Sequence, residues 1–463
     1  MNGRGDMTTR SRARDDKRLV IVGGGLVGSL LAIYLSRRGY GVDVFDRQPD
    51  PRSTRIGQRP SVNLTLCERG IAALAAVGLD QLALARAVPV RGRRIHASDG
   101  TIAFQPYGNH GESLHSITRN ELNVLLLRVA LESPGVAYHF DEKCAAIDAA
   151  RGTVSFENTQ SGKLTRIEST KIFGADGAYS GVRAQLQKTE RFDYSQQYAS
   201  QGYKELTIPA LPGGESPLCP DALHIWPRGD FMLIGFPNKN GVFTCALYAA
   251  FSGQSSFETL TDERRLLGFM RQNFGDIADQ IPSLGEQFFA RPANTMVTVR
   301  CRPWSRHGNV VLLGDAAHSI LPSYGQGANS GFEDVAVLDR CMERYPRDWE
   351  AAFHEYEQLR RPNMDVMADL CVDHFRELND RLGQPRFLAR KALERRLQEL
   401  HPDRFAPLYS TIAFTRTPYV EAVRLDRGLR TVVDRLMTLD GIEQIVDRPE
   451  LGQLVQQCMT EVA

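Results

Sequence analysis

Apolar and polar positions change period several times along the chain, and each change marks an element. Leu19 to Val22 form a β-branched apolar run that breaks into Gly23-Gly24-Gly25, then into a helical pattern. A second apolar run, Val42 to Phe45, ends in Asp46. That succession predicts strand, glycine turn, helix and strand, a βαβ unit over about residues 17–47. A loop rich in Pro, Arg and Gly follows from Gln48 to Pro60, and Glu68 to Val77 reads as a helix. Arg119-Asn120-Glu121 caps an apolar helical face, after which strand signals return at Val136 to Phe140, Thr153 to Phe156 and Lys171 to Phe173. Between residues 200 and 300 four short runs are separated by Pro, Gly and Asn turns: Tyr203 to Ile208, Ala222 to Pro227, Asp230 to Phe236 and Val242 to Ala249. This spacing predicts an antiparallel sheet inserted as a second domain. Amphipathic helices dominate from Glu333 onward, including Asp334 to Tyr345 and Asn363 to Leu382.

The expected fold is therefore α/β: a Rossmann-like GxGxxG domain built from residues 17–187 and 296–380, an inserted antiparallel-sheet substrate domain over 188–295, and a helical C-terminal cap over 381–463. Residues 1–16 are polar and mixed in charge, and are expected to be a disordered leader.

Composition changes this picture little. A chain of 463 residues exceeds a single core. Its 56 basic and 55 acidic residues imply no nucleic-acid partner. Eight cysteines without CxxC spacing suggest thiols in a reducing, cytoplasmic compartment and no metal site. The longest apolar stretch, Leu19 to Leu35, is interrupted by glycines, and the segment from Leu429 onward is charged throughout, so no membrane anchor is expected. The partner implied is a small molecule; the sequence allows a homodimer without specifying one.

Three motifs carry the candidate chemistry. In the first, Gly23 permits a tight turn, Gly25 lets backbone amides approach a pyrophosphate and Gly28 lets helix pack on strand. The helix start at Leu26 and Val27 would face the phosphate. Asp46, 18 positions past Gly28 and followed by Arg47, stands where a ribose-binding acid belongs. The second motif, Gly174-Ala175-Asp176-Gly177 with Arg183 downstream, reads on its own as a mere turn. The third, Gly314-Asp315, ends an apolar strand and leads into Gly325-Gln326-Gly327-Ala328-Asn329, whose amides could stabilise a negative flavin edge.

In this order, over residues 18–335, the motifs resemble the single-component aromatic hydroxylases of the para-hydroxybenzoate hydroxylase type. The resemblance implies bound FAD, transient NADPH and O2. It places the glycine motif and Asp46 on the adenosine half of FAD, Asp315 at the ribityl chain, Asp176 near FAD and the pyridine nucleotide, and Arg119 at the FAD phosphates. Further pieces resemble the kynurenine 3-monooxygenases within that group: Arg91-Gly92-Arg93, Gln105-Pro106-Tyr107-Gly108, Gly202-Tyr203-Lys204-Glu205-Leu206, Leu223-His224-Ile225-Trp226-Pro227, and Arg404-Phe405 with Tyr409. By themselves Arg93 reads better as a surface ion pair and the tyrosines as core packing than as a site. The resemblance implies instead that Arg93, Tyr107 and Tyr409 hold a substrate carboxylate, and that Leu223, Met232 and Ile234 receive an arylamine ring facing the flavin.

Departures from that family cluster in the same pocket. The loop usually reading Pro-Phe-(Phe/His)-Gly-Gln-Gly-Met-Asn is here Pro322-Ser323-Tyr324-Gly325-Gln326-Gly327-Ala328-Asn329; Tyr248 replaces a phenylalanine and His374 an asparagine. These changes are expected either to compensate one another or to admit a ring-substituted kynurenine. The implied reaction is hydroxylation ortho to the aryl amine through a flavin C4a-hydroperoxide, with no catalytic base demanded because the amine supplies the electron push. The competing readings are hydroxylation of another aromatic amine, a non-oxygenating flavin dehydrogenase, and an FAD-binding redox sensor. A flavin halogenase is disfavoured because Trp226-Pro227 does not complete a Trp-x-Trp-x-Ile-Pro element.

Overall fold

The computed structural model describes residues 18–52, 62–109, 111–169, 171–380, 384–439, 441, 442 and 451–456. The expected leader over 1–16, most of the loop over 48–60 and much of the chain after 442 lie outside the described residues. A parallel sheet forms the first layer. Its order is Ser305–Arg306, Val310–Leu312, Ile172–Gly174, Leu19–Val22, Val42–Phe45 and Val136–His139, with only the first strand antiparallel to its neighbour. The central strand is buried along its whole length, as a sheet covered on both faces requires. Helix Leu26–Arg37 is apolar on nearly every side and packs between helices Arg119–Glu132 and Gly327–Arg344.

The second layer is a seven-stranded sheet in the order Asn294–Arg302, Asp193–Ile208, Phe243–Ala250, Met232–Pro237, Ala222–Pro227, Gly92–His96 and Ile102–Pro106. The four strands read from the sequence between 200 and 300 all lie in it. Asn294–Arg302 crosses the expected boundary at residue 295 and lies mostly beyond it, and two further strands come from well before residue 188. Gly92–His96 pairs parallel to Ala222–Pro227, with Leu223 opposite Arg93, and Ile102–Pro106 follows antiparallel. Residues 92–106 thus join the seven-stranded sheet and not the parallel sheet of the 17–187 segment in which they fall. The reason is visible in Gly-Arg-Arg-Ile-His, which shows no apolar alternation yet becomes a strand through its neighbour's edge.

The helical part also differs in extent. Helix Trp349–Asp380 runs through Pro362, where the sequence suggests a start at Asn363. Buried Tyr356 and Arg360 before the proline, and Met364 and Met367 after it, hold both halves against the core, so tertiary packing outweighs the lost backbone bond. Helices Pro385–Leu400, Leu408–Phe414 and Tyr419–Leu436 follow, with a core of their own around Leu393, Leu397, Leu429 and Val433. Among the described residues no helix is long and apolar enough to cross a membrane.

Candidate active site

A cavity of about 350 Å³ lies between the two sheets. One end is lined by Gly25, Leu26, Val27, Arg119, Ala175, Gly177, Asp315, Gly325, Gly327 and Ala328; the other by Arg93, Tyr107, Leu223, Met232, Ile234, Tyr248, Pro322, Ser323, Tyr324 and Tyr409. Members of both sets named from the sequence line one space, though Gly23, Gly28, Asp46, Arg47, Asp176, Gly314, Gln326, Asn329 and His374 do not.

The first end is shaped for a dinucleotide. Gly23 has φ +102°, and a Cβ there would lie 2.4 Å from Ala175 O. A Cβ on Gly28 would lie 1.8 Å from Gly23 O, so the helix can approach the turn only without a side chain. Gly25 is different: a Cβ there meets nothing within 4 Å. Its open side faces the start of a helix whose N-terminal amides have no side-chain cap, which is what an approaching phosphate needs. Asp46 stands beside this turn and accepts from Gly24 N–H at 2.7 Å through Oδ2, while Arg47 is exposed. Gly314 adopts φ +57° and presents Asp315 to the cavity.

Like Asp46, whose Oδ1 also accepts from Gln48 N–H at 2.8 Å, three more side chains assigned to the cofactor are used within the protein. The carboxylate of Asp176 accepts from Ser180 Oγ at 2.5 Å and from the N–H groups of Gly181 and Val182 at 2.7 and 3.2 Å, capping helix Gly181–Leu186. Asn329 donates to Thr65 O at 2.8 Å and accepts from Cys67 N–H at 3.0 Å. Gln326 Oε1 accepts from the Tyr419 hydroxyl at 2.9 Å. None of the three side chains lines the cavity; beside Asp176, Ala175 and Gly177 do, and beside Gln326 and Asn329, Gly325, Gly327 and Ala328 do. The buried polar side chains are drawn to internal partners because leaving them unpaired is costly.

At the second end Arg93 is buried (8% exposed). It forms no salt bridge among the described residues. Its guanidinium lies 4.6 Å from the Tyr409 ring centre and 5.3 Å from that of Tyr107, and the two rings stack at 5.5 Å. Arg93 Nη2 stands 3.4 Å from His374 Nε2. Because arginine only donates, Nε2 accepts, which places the histidine proton on Nδ1, 3.7 Å from Glu377. Burial pushes His374 down to about 4, so it is neutral. The Tyr107 hydroxyl is buried without a hydrogen-bond partner. Burial raises the Tyr107, Tyr248 and Tyr324 hydroxyls well above the usual phenol range, keeping them protonated donors.

His374 itself borders a second, polar cavity of about 580 Å³, which also meets Arg93, Tyr107, Tyr324 and Tyr409. Arg93, Tyr107, Tyr324 and Tyr409 line both cavities and form the wall between an apolar chamber and a polar one, whereas His374 lines only the polar one. The hydroxyl of Ser323 donates to Cys371 O at 2.7 Å. It therefore does not add a free polar group to the pocket. Sequence reasoning missed Ile225, Phe236, Tyr203, Phe375 and Leu378, all in the lining. Strand alternation from Leu223 and Ile234 points to Ile225 and Phe236; nothing local marks Phe375, which enters through packing of the long helix.

Residues 16–368 match the family model described as an FAD binding domain. The chain is 40% identical over 442 residues to the kynurenine 3-monooxygenase of Flavobacterium johnsoniae, covering 96% of this chain and 98% of that relative. It is 44% identical over 425 residues to the kynurenine 3-monooxygenase of Salinispora tropica, covering 90% and 93%. Among solved structures, a tetrameric form of 2-methyl-3-hydroxypyridine-5-carboxylic acid oxygenase superposes with TM-score 0.65 at 20% identity, over 82% of this chain and 96% of that one. Pseudomonas aeruginosa PqsL in complex with 2-aminobenzoylacetate superposes with TM-score 0.61 at 18% identity, over 78% and 98%. At these identities the structural likeness shows the fold, and the sequence relatives show the branch. The chain belongs to the kynurenine 3-monooxygenase family of FAD-dependent aromatic monooxygenases.

Proposed function

We propose that the protein hydroxylates L-kynurenine, or a ring-substituted kynurenine, at the ring carbon ortho to the aryl amine. The observation that carries this reading is Arg93, a buried guanidinium without a carboxylate partner among the described residues, at the end of an apolar cavity opposite the glycine motifs. A buried cation in that position calls for an anion, and a carboxylate is the anion an amino-acid head supplies. Arg93 binds that carboxylate, Tyr107 and Tyr409 donate hydroxyl bonds to it, and Leu223, Met232 and Ile234 hold the ring and keep water away. Gly23, Gly25, Gly28 and Asp46 would hold the adenosine half of FAD, and Asp315, Arg119 and residues 325–329 its flavin half. Bound FAD, with NADPH and O2, supplies the oxygen-transfer chemistry. The chain's own contribution is orientation and exclusion of water.

Anaerobic reduction of the FAD-loaded protein by NADPH, followed with and without L-kynurenine, tests the proposal. Product is then identified by mass spectrometry after oxygen is admitted. Kynurenine-accelerated reduction and a mass gain of one oxygen atom are expected. Acceleration without oxygen transfer makes kynurenine an effector and a substituted relative the substrate; no response overturns the reading.

A further inference from the structure

A chain of buried charges connects the two ends of the site. Gly314 N–H donates to Asp334 Oδ2 at 2.9 Å, and the same fully buried carboxylate accepts from His318 Nε2 at 2.5 Å and Arg360 Nε at 2.7 Å. Arg360 passes on to Glu333 at 2.5 Å. Glu333 in turn meets Arg69, whose Nη1 lies 2.9 and 3.0 Å from its two oxygens. Arg69 is 1% exposed and points Nη2 at the carbonyls of Ile412, Thr415 and Thr417, at 3.5, 3.3 and 3.0 Å. Ile412 belongs to helix Leu408–Phe414, which carries Tyr409. The circuit therefore starts at the Gly314-Asp315 turn and ends at the last turn of the helix that walls the substrate's head group. A second tie runs alongside it: Tyr419 lies under the Arg69 guanidinium at 4.1 Å, and its hydroxyl reaches Ser330 Oγ and Gln326 Oε1, both at 2.9 Å.

Two carboxylates and two guanidinia balance in charge, so each desolvated ion has a partner. Such a network adds little stability over an apolar core of equal volume. What it adds is geometry, since charge-assisted bonds at these lengths admit one arrangement. We infer that Arg69, through Glu333, Arg360 and Asp334, is a positioning residue: it sets the distance between the carboxylate-binding tyrosine and the flavin cradle, and so the distance of the substrate ring from the reacting flavin. A displacement of about 1 Å in such a distance is enough to cost a hundredfold in rate. The inference rests on the reading that Tyr409 meets the substrate's head group.

The test is a double-mutant cycle on the FAD-loaded, full-length protein with Arg69→Gln, Tyr409→Phe and the pair. KM for L-kynurenine is read together with the fraction of consumed NADPH recovered as hydroxylated product. Each single change is expected to raise KM about tenfold and to lower that fraction, whereas the pair stays within about twofold of Tyr409→Phe alone. Additive effects, about a hundredfold in KM for the pair, would overturn the strut, as would an Arg69→Gln enzyme with unchanged KM and full product yield. An unchanged KM in Tyr409→Phe overturns the head-group reading instead, and the strut with it. Should Arg69→Gln fail to fold, Glu333→Gln keeps the side chain's shape at the partly exposed link. It is expected to raise KM about threefold with FAD content unchanged; no rise in KM and no loss of product yield would overturn the proposal.

Discussion

A guanidinium sealed from water is tolerated when rings and hydroxyls surround it and an anion can complete it. Arg93 has the first two from Tyr107 and Tyr409. Replacing it should therefore affect substrate before it affects cofactor. Arg93→Ala is expected to weaken kynurenine binding by about 2–5 kcal/mol, read as a rise in KM or Kd, while the ratio of flavin to protein absorbance stays at the parent value. The residue types in the sequence favour a surface ion pair for Arg93 and core packing for the tyrosines. Burial and the stacked rings remove the first; the family resemblance had to supply the direction. His374 shows the limit at this scale. Its identity is plain in the sequence, but its tautomer follows only from its position between Arg93 and Glu377.

Among the elements, the glycine turn separates two requirements that the sequence motif merges. Gly28→Ala puts a Cβ 1.8 Å from Gly23 O. It should push helix Leu26–Arg37 off its strand, costing about 3 kcal/mol of stability and abolishing FAD binding. Gly25→Ala meets no protein atom within 4 Å. It is expected to leave the melting temperature of the apoprotein unchanged and yet weaken FAD binding, because the new methyl occupies the phosphate's approach. Melting curves of the apoproteins with FAD titrations check both. The motif was legible because strand, turn and helix are contiguous. Strand Gly92–His96 was not, since its pairing partner begins about 130 residues later and two arginines break its pattern. Helix Trp349–Asp380 was half legible, because the rule that proline ends a helix yields here to burial on either side of Pro362.

For the whole molecule, buried histidines weaken the fold toward acid. Burial pushes both His224 and His374 down to about 4, and lowers His115 as well. As pH falls below about 6.5 the unfolded chain takes up protons that the native state refuses. Stability is thus fully present above about 6.5 and is lost as pH falls toward 4, with a slope approaching about 1.4 kcal/mol per pH unit for each histidine. Urea midpoints between pH 7 and 4.5 should show this fall, and His224→Gln should reduce the slope by up to about 1.4 kcal/mol per pH unit. An unchanged slope in that variant would assign the acid response to other groups. At the same scale belongs the ionic circuit from Gly314 to Ile412, whose members lie on five separate segments and run between the two ends of one cavity.

By itself the sequence determined the parallel-sheet domain, its glycine cradle and the strands of the substrate sheet between 200 and 300. These depend on periodicity and backbone freedom over a few neighbouring residues, which no distant contact can rewrite cheaply. Only the tertiary structure decided the wall of Arg93, Tyr107, Tyr324 and Tyr409 between the two cavities, with His374 behind it, and the internal use of Asp46, Asp176, Gln326 and Asn329. The wall gathers residues from segments up to 316 positions apart. Whether a charged or polar side chain there binds a ligand or a neighbour depends on desolvation, and desolvation exists only once those segments have closed around it.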